Sequence, residues 1–278
     1  MPRFAANLSL MFTERPLLDR FAAAADAGFA AVELQFPYEH PADAIAQRLE
    51  AAGLELTLFN LSPGDWAAGD RGLAALPLRR EEFRASVATA LAYAEATGTR
   101  KLHVMAGIAS RADPAAQAAY RDALRYACEQ AGPRGVEIMI EPINFRDMPG
   151  YFLDDFAAAA ELIRDLALPN LKLQFDVYHR QILHGDVLRG LEALLPIIGH
   201  VQTASVPGRN EPGSGELDDL RIFRTLDELG YRGCVGCEYR PLGRTEDGLG
   251  WLRESHEGAG AGGRAPRLAL QGRQRNAV

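Results

Sequence analysis

The strongest constraint on this chain is an alternation. Short runs rich in β-branched and aromatic residues recur between longer Ala- and Leu-rich segments of helical period. Runs at 4–10, 31–36, 55–60, 101–106, 137–142, 171–176, 199–203 and 234–239 predict eight strands. Segments at 16–27, 41–52, 79–97, 114–131, 154–166, 187–195, 217–229 and 245–254 predict eight helices. Pro16, Pro41 and Pro114 stand near helix starts, and Gly28, Gly53, Gly98 and Gly230 just past helix ends, as expected of these residues. Strict alternation makes the sheet parallel. Eight units favour closure into a (β/α)8 TIM barrel over an open doubly wound sheet, and no GxGxxG follows the first run to support a dinucleotide-binding version. The length of 278 residues is near the roughly 250 of one such barrel.

Four polar residues close four successive runs: Glu141 in EIMIEP, Asp176 in LKLQFD, Gln202 in GHVQT and Glu238 in CVGCEY. Their separations of 35, 26 and 36 residues are each about one βα unit. The strands of a barrel deliver their C-terminal ends to one mouth, so three carboxylates and an amide converge. Side-chain parity agrees, because inward positions are spaced by two. It points Met139 and Glu141, Gln174 and Asp176, His200 and Gln202, and Gly236, Glu238 and Arg240 inward. Any one of the four alone reads as a salt-bridged rim residue. Four on consecutive strands read as a site for a hard cation with oxygen ligands, since buried carboxylates need a partner.

Charge narrows the partners. With 30 Lys and Arg against 37 Asp and Glu, the net charge is −7, which argues against nucleic acid or anionic membrane as a partner. The N-terminus lacks an apolar signal core and no run reaches the ~18 residues of a membrane span. Three cysteines, Cys128, Cys234 and Cys237, suggest a reducing cytoplasm. The CxxC spacing of the last two puts them on opposite faces of a strand, so both read as small buried hydrophobes. The expected organisation is one catalytic barrel over 1–255, followed by a disordered Gly-, Ala- and Arg-rich tail over 256–278.

Further candidates lie at the mouth. His179, three residues after Asp176 in DVYH, is placed to hydrogen-bond a substrate oxygen, or else is a structural strand-end histidine. His103 and His200 sit lower, where a packed imidazole suffices. In the loop PGRNEPGSGE, Arg209 is a candidate clamp for a substrate carboxylate, with Glu211 to orient it. Arg71 and Arg240 are alternative clamps. Trp66, in NLSPGDWAAGDRG, is a candidate cover for a small ligand, or for a neighbouring subunit of a homo-oligomer.

Taken together, MPRFAANLSLMFTE, FPY, NLSPGDWAAGDRG, EPIN, QFDVYH, HVQ, EPGSGE and GCEYRP resemble the hydroxypyruvate isomerase family of the xylose-isomerase-like barrel superfamily. The resemblance runs from Pro2 to about Leu252. The opening also resembles the sister 2-oxo-tetronate isomerases, whereas EPINFRDMPGYF is more similar to the hydroxypyruvate enzymes. The resemblance implies catalytic glutamates at Glu141 and Glu238 and a metal site of Glu141, Asp176, Gln202 and Glu238. An amide oxygen at 202, where related epimerases carry histidine, favours Mg2+ or Mn2+. The implied substrate is a small hydroxy-oxo acid. The implied reaction interconverts hydroxypyruvate and 2-hydroxy-3-oxopropanoate (tartronate semialdehyde), with no organic cofactor. A four-carbon 2-oxo-tetronate substrate is the alternative. A metal-dependent endonuclease of the same superfamily and a non-catalytic sugar-acid binder are remoter ones.

Overall fold

A computed structural model describes residues 1–253 and 255. Eight parallel strands close into a barrel in sequence order: β1 (Arg3–Asn7), β2 (Ala31–Leu34), β3 (Glu55–Asn60), β4 (Lys101–His103), β5 (Glu137–Ile140), β6 (Leu171–Asp176), β7 (Ile198–Thr203) and β8 (Cys234–Cys237). Around them run α1 (Leu17–Asp26), α2 (Ala42–Ala52), α3 (Arg80–Thr97), α4 (Pro114–Ala131), α5 (Phe156–Leu166), α6 (Val177–Leu183), α7 (Val187–Leu194) and α8 (Asp219–Glu228). The (β/α)8 expectation holds.

Side-chain caps set several helix starts. The carboxylates of Asp113, Asp155 and Asp218 accept backbone N–H groups of α4, α5 and α8, each such cap contributing about 1 kcal/mol. Helices bury an apolar stripe against the core. In α5 it comprises Phe156, Ala159, Ala160, Leu162 and Ile163. At the closing seam Phe4 of β1 packs edge-on against Phe223 of α8 and Trp251, with centroids 4.9 and 5.0 Å away. Cys234 packs with Ala5 and Ala31, whereas Cys237 joins the large core cluster. The two thiols therefore face opposite ways, as parity requires.

The expected strands 4–10, 31–36, 101–106, 137–142 and 234–239 end early. Their upper residues turn into mouth loops. After β1, for example, the Asn7 side chain accepts the Ser9 N–H at 3.1 Å and ends the strand as an Asx turn. One helix, α6, had no counterpart in the sequence expectation. Its residues VYHRQIL are mostly middling helix formers. It forms because Asp176 caps it, Oδ1 accepting the Tyr178 N–H at 2.7 Å. The helix expected over 245–254 starts instead as a 3-10 turn, Thr245–Gly248, where the Thr245 hydroxyl accepts the Phe12 N–H at 2.6 Å. Residues 250–253 are helical. The expected tail, 256–278, lies outside the described residues. No described helix is long and apolar enough to cross a membrane.

Glycine matters where loops meet above the barrel. Gly72, at φ +117°, bridges Ala106, and a Cβ there would lie 2.4 Å from the Met105 carbonyl oxygen. The loops after β3 and β4 are held together by that close approach.

Candidate active site

Three carboxylates enter the mouth. Glu141 follows β5, Asp176 ends β6 and Glu238 follows β8, with relative exposures of 4, 0 and 7%. Burial pushes the Glu141 carboxyl well above the usual carboxylate range; the charges of Glu238 and Asp176 add to this and Arg209 opposes it. Burial likewise pushes Asp176 up to about 7, against the pull of Arg209. Acids gathered away from water disfavour one another's ionised forms.

One guanidinium answers them. Arg209 Nη2 lies 2.7 Å from Glu238 Oε2 and 3.7 Å from Asp176 Oδ2, while Nη1 lies 3.2 Å from Asp147 Oδ2. Its carbon sits 5.0 Å from the centroid of the Tyr178 ring. Burial works against the charge on Arg209, but Glu238, Asp176, Asp147 and Glu141 outweigh it and raise its pKa. The residue is held at φ +56°, an uncommon conformation for a side chain of this size. Its backbone is pinned by the Ser205 carbonyl and the Arg240 N–H, both at 2.8 Å. Glu238 is held from the other side by Gln35 Nε2, 2.9 Å from Oε1.

His179, in the first turn of α6, is buried with its pKa well below the ordinary value; burial is the main cause, and Arg209 and His103 add to it. Its Nδ1 accepts from the Asn144 backbone N–H at 3.3 Å, so the hydrogen of the neutral ring is on Nε2. That Nε2 lies 3.6 Å from Asp176 Oδ2. Ligand atoms of Glu141, Asp176 and His179 lie within 4.8 Å of one another. The tautomer makes His179 a donor there rather than a metal ligand.

Beneath the acids lies a polar layer. His103, at the end of β4, sets Nδ1 3.2 Å from Asn60 Oδ1 and 3.7 Å from Glu141 Oε2. Burial, helped by His200, pushes its ring down to about 3 and keeps it neutral. Gln174 Nε2 donates to Gln202 Oε1 at 2.7 Å, and Gln202 Nε2 donates to Glu33 Oε2 at 2.9 Å. His200 Nε2 is hydrogen-bonded to Glu33 Oε1.

The structure thus gathers Glu141, Asp176 and His179 at one point and ties Glu238 to them through Arg209. Gln202 stands in register with Asp176, its amide engaged by Gln174 and Glu33. Two sequence expectations are corrected. Glu211 does not orient Arg209; its carboxylate accepts the Leu242 N–H at 2.9 and 3.2 Å, and Asp147, Asp176 and Glu238 take the guanidinium. Arg240 does not point into the barrel. Because β8 ends at Cys237, the residue is exposed and contributes only backbone, its carbonyl accepting Asn210 Nδ2 at 2.7 Å. Arg71 lays its guanidinium 3.8 Å from the centroid of the Trp66 ring and donates Nη1 to the Trp66 and Asp70 carbonyls at 3.1 and 2.6 Å. Trp66 is 42% exposed and leans on Phe36, with centroids 5.4 Å apart, one residue from Gln35.

Sequence reading missed Glu33, Gln35, Asn144 and Asp147. Glu33 had a signal, as the one charge in the buried strand AVEL. The others stand in loops, where no periodicity marks them.

A hard divalent cation fits the donors present. Glu141 Oε1, Asp176 Oδ2 and Gln174 Oε1 are buried oxygens with no hydrogen-bond partner among the described residues. Lone pairs so placed call for a ligand, and carboxylate and amide oxygens suit a hard cation.

A closed parallel barrel with acids at the C-terminal ends of its strands defines the class: a TIM-barrel protein with its site where such barrels carry their chemistry. The chain belongs to the xylose isomerase-like TIM barrel family, whose profile matches residues 21–255. It is 52% identical over 255 residues to a 2-oxo-tetronate isomerase of Cupriavidus necator, covering 91% of this chain and 98% of the relative. It is 42% identical over 254 residues to the hydroxypyruvate isomerase of Escherichia coli, covering 91 and 98%. A solved structure titled AP endonuclease, family 2, from Brucella melitensis matches with a TM-score of 0.90 and 48% identity over 91% of this chain and 99% of that one.

Proposed function

We infer that the chain is an aldose–ketose type isomerase of small 2-oxo acids, interconverting hydroxypyruvate and 2-hydroxy-3-oxopropanoate. The observation that carries this reading is the pairing of two buried glutamates in one mouth. Glu141 has an oxygen with no hydrogen-bond partner among the described residues, and Glu238 is clamped by Arg209 and Gln35.

The chemistry asks for one proton to leave C3 and another to arrive on C2, through an enediolate, while the O3 hydroxyl gives up its proton and O2 gains one. A positioned carboxylate removes the first and a second delivers the other. Glu141 and Glu238 supply the pair. A cation held by Glu141, Asp176, Glu238 and the Gln202 amide oxygen would supply charge stabilisation at the two oxygens. His179 presents its Nε2–H to a substrate oxygen. Arg209 is the half-buried cation at the mouth that can turn from Asp147 toward the substrate carboxylate, meeting it with a planar fork. Trp66 and Phe36 form an apolar rim above Gln35. Turnover of hydroxypyruvate, measured for the wild type and for Glu141→Gln, tests the reading; no turnover by the wild type overturns it.

A second reading, 2-oxo-tetronate as substrate, is favoured by the 52 and 46% identities to isomerases of that name in Cupriavidus necator and Pectobacterium atrosepticum. The two acids share the reacting carbons and the carboxylate. Pocket length alone separates them, which is worth only about 10–200-fold. Specificity constants for both acids on one preparation decide it. The endonuclease title of the Brucella structure raises phosphodiester cleavage, but a buried acidic mouth in a chain of charge −7 repels a phosphate backbone. Nicking of an abasic duplex by the wild type would restore that reading.

A further inference from the structure

Glu33 is fully buried in the middle of the barrel, and nothing in the proposed proton transfer uses it. Three nitrogen donors converge on its carboxylate. His200 Nε2 meets Oε1, Gln202 Nε2 donates to Oε2 at 2.9 Å, and Asn7 Nδ2 lies 3.5 Å from Oε2. The opposite wall is a glycine. A Cβ on Gly236 would lie 2.0 Å from Glu33 Oε1 and 2.4 Å from Oε2, so β8 carries no side chain where the carboxylate sits. Gly236 is also the register partner of Gln202. The barrel therefore has a socket shaped for one carboxylate directly beside the Gln202 amide.

That socket resolves an ambiguity in Gln202. The two ends of a side-chain amide are nearly the same size, so the group can reverse with no steric cost, exchanging an oxygen for a donor nitrogen. A carboxylate offers only lone pairs, so Nε2 must face Glu33. Oε1 is then turned to the other side, where it accepts Gln174 Nε2 at 2.7 Å with one lone pair and keeps the second. We propose that Glu33 is a positioning residue: its carboxylate, seated in the space left by Gly236, holds the Gln202 amide with its oxygen presented to the acid cluster of Asp176 and Glu141. The proposal rests on the reading of the mouth as a cation-assisted isomerase site. Groups that orient metal ligands commonly set affinity by 10–100-fold.

The test is Mn2+ binding by the full-length chain, read as loss of the free-ion EPR signal, with turnover measured beside it. Glu33→Ala frees the amide to reverse and is expected to raise the Mn2+ Kd by about 10–100-fold. Glu33→Gln keeps the shape. Its oxygen can accept Gln202 and Asn7, and its nitrogen can donate to His200 Nε2 once the imidazole hydrogen moves to Nδ1, which has no partner among the described residues. This variant is expected to restore affinity to well under tenfold of the wild type. Gly236→Ala displaces the carboxylate without removing it and is expected to behave like Glu33→Ala; it decides the matter if Glu33→Ala does not fold. A folded Glu33→Ala or Gly236→Ala chain with wild-type Mn2+ affinity overturns the proposal. Wild-type Mn2+ binding without turnover of either acid overturns the isomerase reading, while the Kd comparison still decides the role of Glu33. A wild-type chain that takes no Mn2+ overturns both.

Discussion

Glu33 and Glu141 are the same side chain in the same barrel, both almost wholly buried, yet in opposite circumstances. The Glu33 carboxylate has a donor at every side and a glycine wall cut to fit it. Glu141 has an oxygen with no partner among the described residues, a neutral imidazole beside it, and a pKa pushed up by burial with two other acids adding to it. A buried carboxylate that is fully hydrogen-bonded is scaffold. One left short of partners stores an unmet demand, which the folded chain tolerates because a ligand can meet it. The contrast separates the floor of this barrel from its mouth, and it can be broken at several points.

The largest expected effect is at the mouth. Glu141→Gln and Glu238→Gln keep shape and lose the carboxylate, so turnover should fall at least ~10²-fold, the low end for positioned acid–base groups. In the cation-free protein Glu141→Gln should also raise the melting temperature, by about 2–4 °C for ~1 kcal/mol in a chain of this size, because it removes one of the mutually opposed acids. Near wild-type turnover in either variant removes that residue from the mechanism.

Next is the response to a cation. If the orphaned oxygens form its site, Mn2+ at about 100 times its Kd should stabilise the fold by about 2.7 kcal/mol, a rise of roughly 5–10 °C. Asp176→Asn should lose most of that rise, and EDTA should reverse it in the wild type. An unchanged melting temperature across a Mn2+ titration would put the mouth on the same footing as the floor.

A third comparison sets Arg209 against Arg240. Arg209→Met should raise the KM for hydroxypyruvate about tenfold or more, as expected for losing a charged hydrogen bond of about 1.5–3 kcal/mol. The exposed Arg240→Met should change it little. Equal effects would show that the carboxylate clamp is elsewhere.

The smallest effect concerns the thiols. Burial pushes Cys128 up to about 12 and raises Cys234 and Cys237 as well. At pH 8 only about 10⁻⁴ of Cys128 would be thiolate, so iodoacetamide should label the native chain negligibly and the urea-unfolded chain at all three positions. Rapid labelling of the folded chain would show that the CxxC pair is not buried structure.

Legibility in the sequence followed period. The eight strands, the seven earlier helices and the inward parity of Glu141, Gln174, Asp176, His200 and Gln202 rest on repeats of two and 3.6 residues, which any reader of the chain can count. Where period stopped, the reading weakened. Parity was carried through to Arg240, but β8 had already ended at Cys237 and the chain had turned outward. Helix α6 was missed because one capping carboxylate, rather than a stretch of strong helix formers, starts it. Glu211 looked like a partner for Arg209 because the two are neighbours in the chain, whereas Asp147 and Glu238 reach the guanidinium from other loops.

By itself, the sequence determined the closed barrel, the end of it that holds the polar residues, and which strands deliver them. Those features follow from local periodicity and from the rule that parallel strands point one way. Tertiary structure alone decided which carboxylates are satisfied and which are left wanting. Hydrogen-bond partners such as Glu33 with His200, or Glu238 with Gln35, stand 167 and 203 residues apart. No local pattern encodes a contact of that separation; it exists only once the barrel has closed.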